Sequence, residues 1–171
     1  MSEPRTLIDD LLWPAAAGNI VWSLYSLIDL GISENKFDLE IALRFSIVFL
    51  IACYACAYWI RGQEKPVWRR PFKFLHLATL TTTAVALHLR PEFSGLFFTL
   101  FFGVNVIAHS HTLTYSDIEN PDKWRTKYML GFNTIGLLCG LLPRLICGSY
   151  SLCWMLIGIL APVIAWIFYK K

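Results

Sequence analysis

Two of the four histidines, His76 and His109, each lie about one turn in from the end of an apolar run, and the two runs are neighbours in the chain. Two imidazoles at matching depth on facing helices can ligate a b-type haem. Gly103 and the phenylalanines around it would leave room for a flat macrocycle. His88 has no counterpart at its own depth, so a second haem is not implied. The stretch "HSHTLTYSDIENPD" offers nitrogen and oxygen donors in His109, His111, Asp117, Glu119 and Asp122, which suit a metal ion by type. Residues i and i+2 of a helix point roughly 200° apart, so His109 and His111 can share an ion only if the helix ends between them. No H-E-x-x-H spacing is present, and no metal site is assigned.

Other polar groups interrupt the apolar runs. Asn19, Asn105 and Asn133 each follow a glycine closely, in "GN", "GVN" and "GFN". Glycine lets helix backbones approach and asparagine can then hydrogen-bond across the gap, so the first reading of all three is inter-helix contact. Thr81 and Thr82 belong to "TLTTTA", where each hydroxyl can bond back to the preceding turn. The other reading joins Asn19, Asn105 and these threonines into a polar path for a small solute. "GN" and "GVN" on oppositely directed helices would suit an inverted three-plus-three repeat. Cys53 and Cys56 form C-x-x-C inside a span. A thioredoxin-like site would need a helix N-terminus next to a strand, so they read as small apolar packers. Cys147 and Cys153 flank "GSYSL" and would form a disulfide if that turn faced an oxidising compartment.

What carries these residues is hydrocarbon. The chain is 56% apolar and 16% charged, against about 45–50% and about 25% for an average soluble domain. Its seven Trp and seven Tyr fall largely near the ends of the apolar runs, as an aromatic belt would have them. A spanning helix needs about 20 apolar residues. Six runs qualify: 12–30, 41–60, 72–89, 94–112, 128–146 and 150–168, the second, fourth and sixth being the clearest. Gly136, Gly140 and Pro143 in the fifth suggest a kink or a re-entrant segment, so four spans plus a re-entrant or interfacial hairpin is the alternative. The expected fold is therefore all-α: one integral membrane domain over 1–171, a polytopic transmembrane helical bundle. Glu3, Asp9 and Asp10 stand where a signal peptide carries basic residues, so the first helix is expected to be retained.

Charge gives the orientation. With six crossings, eleven of the fifteen basic residues fall on one side: Arg5, the cations of 61–73 and 113–127, and Lys170 and Lys171. The positive-inside rule then places both termini in the cytoplasm of a multi-pass inner (plasma) membrane protein. On the other side, Asp29 and Arg44 are placed to pair across the first hairpin. Arg61, Lys65, Arg69, Arg70 and Lys73 in "RGQEKPVWRRPFK" would meet anionic lipid or a soluble cytoplasmic protein. A net charge of +3, placed by topology, argues against nucleic acid as a partner.

No Walker loop, nucleophile elbow or paired-carboxylate spacing occurs, and enzymatic chemistry is not expected. The leading function is a non-enzymatic membrane subunit: an oligomeric anchor, sensor or pore working with a soluble partner through its basic loops, for example in a multi-protein stress or defence system. A homo-oligomer is expected, because asparagine in lipid favours association. The alternatives are a b-type cytochrome using His76 and His109, with haem b as cofactor, and a small-solute transporter or channel.

Overall fold

Each apolar run becomes a helix because the bilayer-length stretches contain few residues that compete with backbone hydrogen bonding. The structure, a computed structural model, describes residues 11–34, 38–62, 70–114 and 120–168. Among them all regular structure is helical: α1 (Trp13–Ser33), α2 (Leu39–Gly62), α3 (Arg70–Leu89), α4 (Pro91–Thr112), α5 (Asn120–Cys147) and α6 (Leu152–Phe168).

The ends follow local chemistry. Pro14 and Pro91 open α1 and α4, where a missing N–H costs nothing. Arg90 alone separates α3 from α4; its extended backbone (φ −141°, ψ 78°) turns the chain between them. Gly148 ends α5 with φ +72°, its N–H reaching the Arg144 carbonyl at 3.1 Å. The Arg144 guanidinium bonds the Gly148 carbonyl in turn.

Four helical segments are long and apolar enough to cross a membrane: Trp13–Ser33, Leu39–Cys56, Glu92–Thr112 and Lys123–Cys147. The described apolar parts of α3 and α6, Phe74–Leu89 and Leu152–Ile164, are shorter. The sixth run, among the clearest in sequence, gives a helix of 17 residues, about 25 Å long against a hydrocarbon core of about 30 Å. The fifth forms one continuous helix. α5 runs on for 28 residues with Pro143 inside its last turns, where only one backbone bond is lost. Large apolar side chains such as Val21, Tyr25, Ile32, Phe49 and Ile107 point outward, as a bundle solvated by lipid requires.

α1 packs beside α2, and each helix from α3 to α6 packs beside the next. α1 also packs on α3 and α6 on α2, so the six close into a ring in the order α1–α3–α4–α5–α6–α2, with lesser α2–α3 and α4–α6 contacts. An inverted three-plus-three repeat would need α1 against α6 and α3 against α5. Neither pair packs together among the described residues, so the repeat suggested by "GN" and "GVN" is not the packing found.

Mid-bundle, Phe98, Phe101 and Phe102 of α4 are fully buried. Their rings meet edge to face, with centroids 4.7 Å apart for Phe98–Phe102 and 4.9 Å for Phe101–Phe102. Glycines make room for them. The Phe102 ring occupies the place a Cβ on Gly136 would take, and Gly140 faces Thr99 and Phe98. Gly158 of α6 faces Cys139, Phe98 and the Gly136 backbone. Gly136 and Gly140, four apart, form the small-residue face that lets α4 approach α5.

Candidate functional site

The bundle has two ends. The basic end carries the 63–69 and 115–119 connections, and the opposite end carries Arg90 and the turn at Gly148. Buried imidazoles and amides gather toward the basic end. His76 enters from α3, Asn105 and His109 from α4, Tyr54 from α2 and Asn133 from α5, and all five are buried.

His76 Nδ1 lies 2.9 Å from Asn105 Oδ1, the bond that ties α3 to α4. Asn105 Nδ2 donates to the Phe101 carbonyl at 2.8 Å, one turn back on its own helix. That bond fixes the amide so that Oδ1 is the acceptor. His76 must then carry its proton on Nδ1, which leaves the Nε2 lone pair as the ring's basic atom. Three rings wall the imidazole: Phe101 at 5.3 Å between centroids, Tyr54 at 5.8 Å and Trp13 at 6.5 Å. His109, four residues beyond Asn105 on α4, is one turn nearer the basic end.

Tyr54 crosses the inside of the ring of helices. It meets Phe101 edge-on at 5.6 Å and lies against the Asn133 side chain. Asn133 Nδ2 donates to the Met129 carbonyl at 2.7 Å, while its Oδ1 is buried with no hydrogen-bond partner among the described residues. Thr112 and Thr126, also buried, continue the polar interior toward the basic end. The phenylalanines close it at mid-bundle.

The remaining sequence candidates lie elsewhere. Asn19 is on an exposed face of α1, and neighbouring Gly18 borders open space. Thr81 is half-buried and Thr82 exposed. Their hydroxyls bond back to the Leu77 and Ala78 carbonyls at 2.9 and 2.8 Å. Asn105 is buried while Asn19 and Thr82 are exposed and Thr81 is half-buried, so the four do not share one buried surface. α4 continues unbroken through His109 and His111 to Thr112, so those two rings diverge. Asp117, Glu119 and the Asp122 side chain lie outside the described residues. Lys65 and Arg69 do too, as do the side chains of Arg61, Arg70 and Lys73. Among the described residues no group of three or more His, Cys, Asp or Glu could hold a metal ion.

At the opposite end Arg44 pairs with Glu40, one turn back on its own helix, and not with Asp29 across the hairpin. A pair already aligned at i, i+4 needs no second helix to position it. His88 stands edge-on to Trp22 at 5.2 Å. Cys147 and Cys153 are free and exposed, so the disulfide is not formed.

Sequence reading passed over Tyr54 and the ring wall of Trp13 and Phe101. Tyr54 did carry a signal: a tyrosine deep in an apolar run, away from the aromatic belts, needs an interior partner for its hydroxyl. No protein-family model matches the chain, and no curated protein or solved structure is significantly similar to it. The class is thus defined by fold and site alone: a membrane-type helical bundle with a polar interior at one end.

Proposed function

We propose that the chain is a non-enzymatic multi-pass subunit of the inner (plasma) membrane, crossing six times with both termini in the cytoplasm. It works with a soluble partner through the basic connections. The observation that supports this reading most is the position of the buried polar cluster. The imidazoles and amides gather at the end that bears the basic loops, and three fully buried phenylalanines lie beyond them at mid-bundle. A layer of packed aromatic rings at mid-bundle suits a protein that changes its packing better than one that conducts. Buried, hydrogen-bonded polar groups give helix contacts a small set of discrete arrangements. The His76–Asn105 bond joins α3 and α4, the helices that lead directly to residues 63–69 and 115–119. A shift between these helices would move both loops together.

The exposed carboxamide of Asn19 favours association of copies, because an amide facing lipid gains a partner when a second α1 covers it. Asn19→Leu should lower the fraction of cross-linked oligomer in membranes while leaving the melting temperature of the bundle in place.

Site-specific photocrosslinking in cells tests the partner reading. A crosslinker at Thr114, exposed at the basic end, should yield adducts with a soluble protein; one at Ser33, exposed at the other end, should not. Adducts from Ser33 alone, or from neither position, would count against it.

A b-type cytochrome is the second reading, and one observation favours it. A ligating imidazole commonly donates its other N–H to an oxygen, as His76 does to Asn105. Trp13, Tyr54 and Phe101 would have to part to admit the macrocycle. A redox-sensitive Soret band in purified protein, lost in His76→Ala and in His109→Ala, would establish haem; a spectrum without one removes the reading.

A further inference from the structure

The surface between α3 and α4, at the end away from the basic connections, holds a trough of about 610 Å³. Its walls are hydrocarbon: Val85, Ala86 and Leu89 from α3, Phe93, Leu96 and Phe97 from α4. Thr81 and Thr82 form one end, yet both hydroxyls are committed to carbonyls of their own helix, so that end offers little to a polar solute. Arg90 forms the other end. Its side chain is exposed, and Glu92, the nearest carboxylate in sequence, is not among the residues of the trough.

Length and charge together identify an occupant. Thr81 sits near the middle of α3 and Arg90 just past its end. Nine residues of helix cover about 13–14 Å, close to half of a hydrocarbon core about 30 Å thick. The trough therefore extends from the bilayer midplane to one interface, which is the span of a single acyl chain in one leaflet. Its one charged end lies at headgroup level and is cationic.

We propose that this trough binds one anionic phospholipid, with an acyl chain along Val85, Leu89 and Phe93 and the phosphate on Arg90. The proposal rests on the membrane reading but not on which leaflet faces the cell interior. The lipid would lie across the α3–α4 hairpin, whose other end carries the His76–Asn105 bond. Lipid composition would thus bear on the packing of the same two helices.

Native mass spectrometry of the full chain, released from detergent titrated with phosphatidylglycerol or phosphatidylcholine, tests the site. One phosphatidylglycerol should be retained at about fivefold lower lipid concentration than phosphatidylcholine, the preference one basic residue gives. Arg90→Gln should reduce that preference to less than about twofold without changing the melting temperature. Ala86→Phe should fill the trough and remove the retained lipid; Leu89→Trp serves if that variant does not fold. Equal retention of the two lipids by the parent chain, or undiminished preference in Arg90→Gln, would overturn the proposal. So would a dimer of the parent chain that dissociates in Ala86→Phe, because a second copy would then be the occupant. Recovery of the chain in the soluble fraction without detergent would instead remove the membrane reading itself.

Discussion

The two halves of the bundle interior handle polar groups in different ways. Toward the basic end a buried bond runs between helices, His76 to Asn105, and Tyr54 reaches toward Asn133, although Thr112 and both amide nitrogens bond back to their own helices. In the middle and toward the opposite end, the buried groups with described bonds are hydroxyls returned to their own helix. Ser23 donates to the Asn19 carbonyl at 2.9 Å and Thr83 to the Thr79 carbonyl at 2.7 Å. A back-bonded hydroxyl satisfies itself wherever its helix goes, so it tolerates sliding. A bond between helices holds only in one register. The first half is therefore the part of the fold that specifies geometry, and the second is hydrocarbon packing with incidental oxygen.

The boundary between them should be the most sensitive place to disturb. Gly136→Leu puts a side chain where the Phe102 ring lies and should cost about 3 kcal/mol, the upper end for overpacking. Gly131→Leu, on the same helix with nothing near its Cβ, should leave stability unchanged. Denaturation of the two variants in the same detergent makes the comparison. Equal losses would mean that the phenylalanine layer is not a packed seal.

Within the polar half, His76→Leu and Asn105→Leu should each cost about 1–2 kcal/mol, because each strands a buried partner. The double variant should lose less than the sum by about 0.6 kcal/mol or more. Strict additivity would contradict a direct bond. Smallest of all, Thr83→Val and Ser23→Ala in the other half should each change stability by less than about 0.5 kcal/mol. A loss as large as that of Asn105→Leu would erase the distinction between the halves.

Much of the fold was legible in the sequence, since each long apolar run had to satisfy its backbone as a helix. Boundaries agree closely except in α5, which begins at Asn120 where the apolar run begins at 128. Its first turns carry Lys123, Trp124, Arg125 and Lys127 on the surface with Thr126 inside, a pattern that hydropathy averages away. The approach of His76 to α4 follows from the α3–α4 hairpin, but its partner there is Asn105, and His109 lies one turn further toward the basic end, so the two histidines do not share a depth. The fate of the asparagines was not. "GN" and "GVN" look alike, yet Asn19 faces outward and Asn105 inward. A helix that is apolar all round has no polar side to show which face is buried. Tyr54 escaped for a related reason: its contacts are on helices that the chain reaches only after further turns. The glycine–phenylalanine pairing of α4 with α5 likewise depends on rotation about the helix axes, which composition does not set.

The proposed function places the polar half at the cytoplasmic face. Impermeant maleimide labelling of intact cells, with single cysteines at Ser33 or Thr114 in a background free of the native five, measures that orientation directly. Ser33→Cys should react from outside, and Thr114→Cys only after the membrane is permeabilised. Reaction of Thr114→Cys in intact cells would contradict the account.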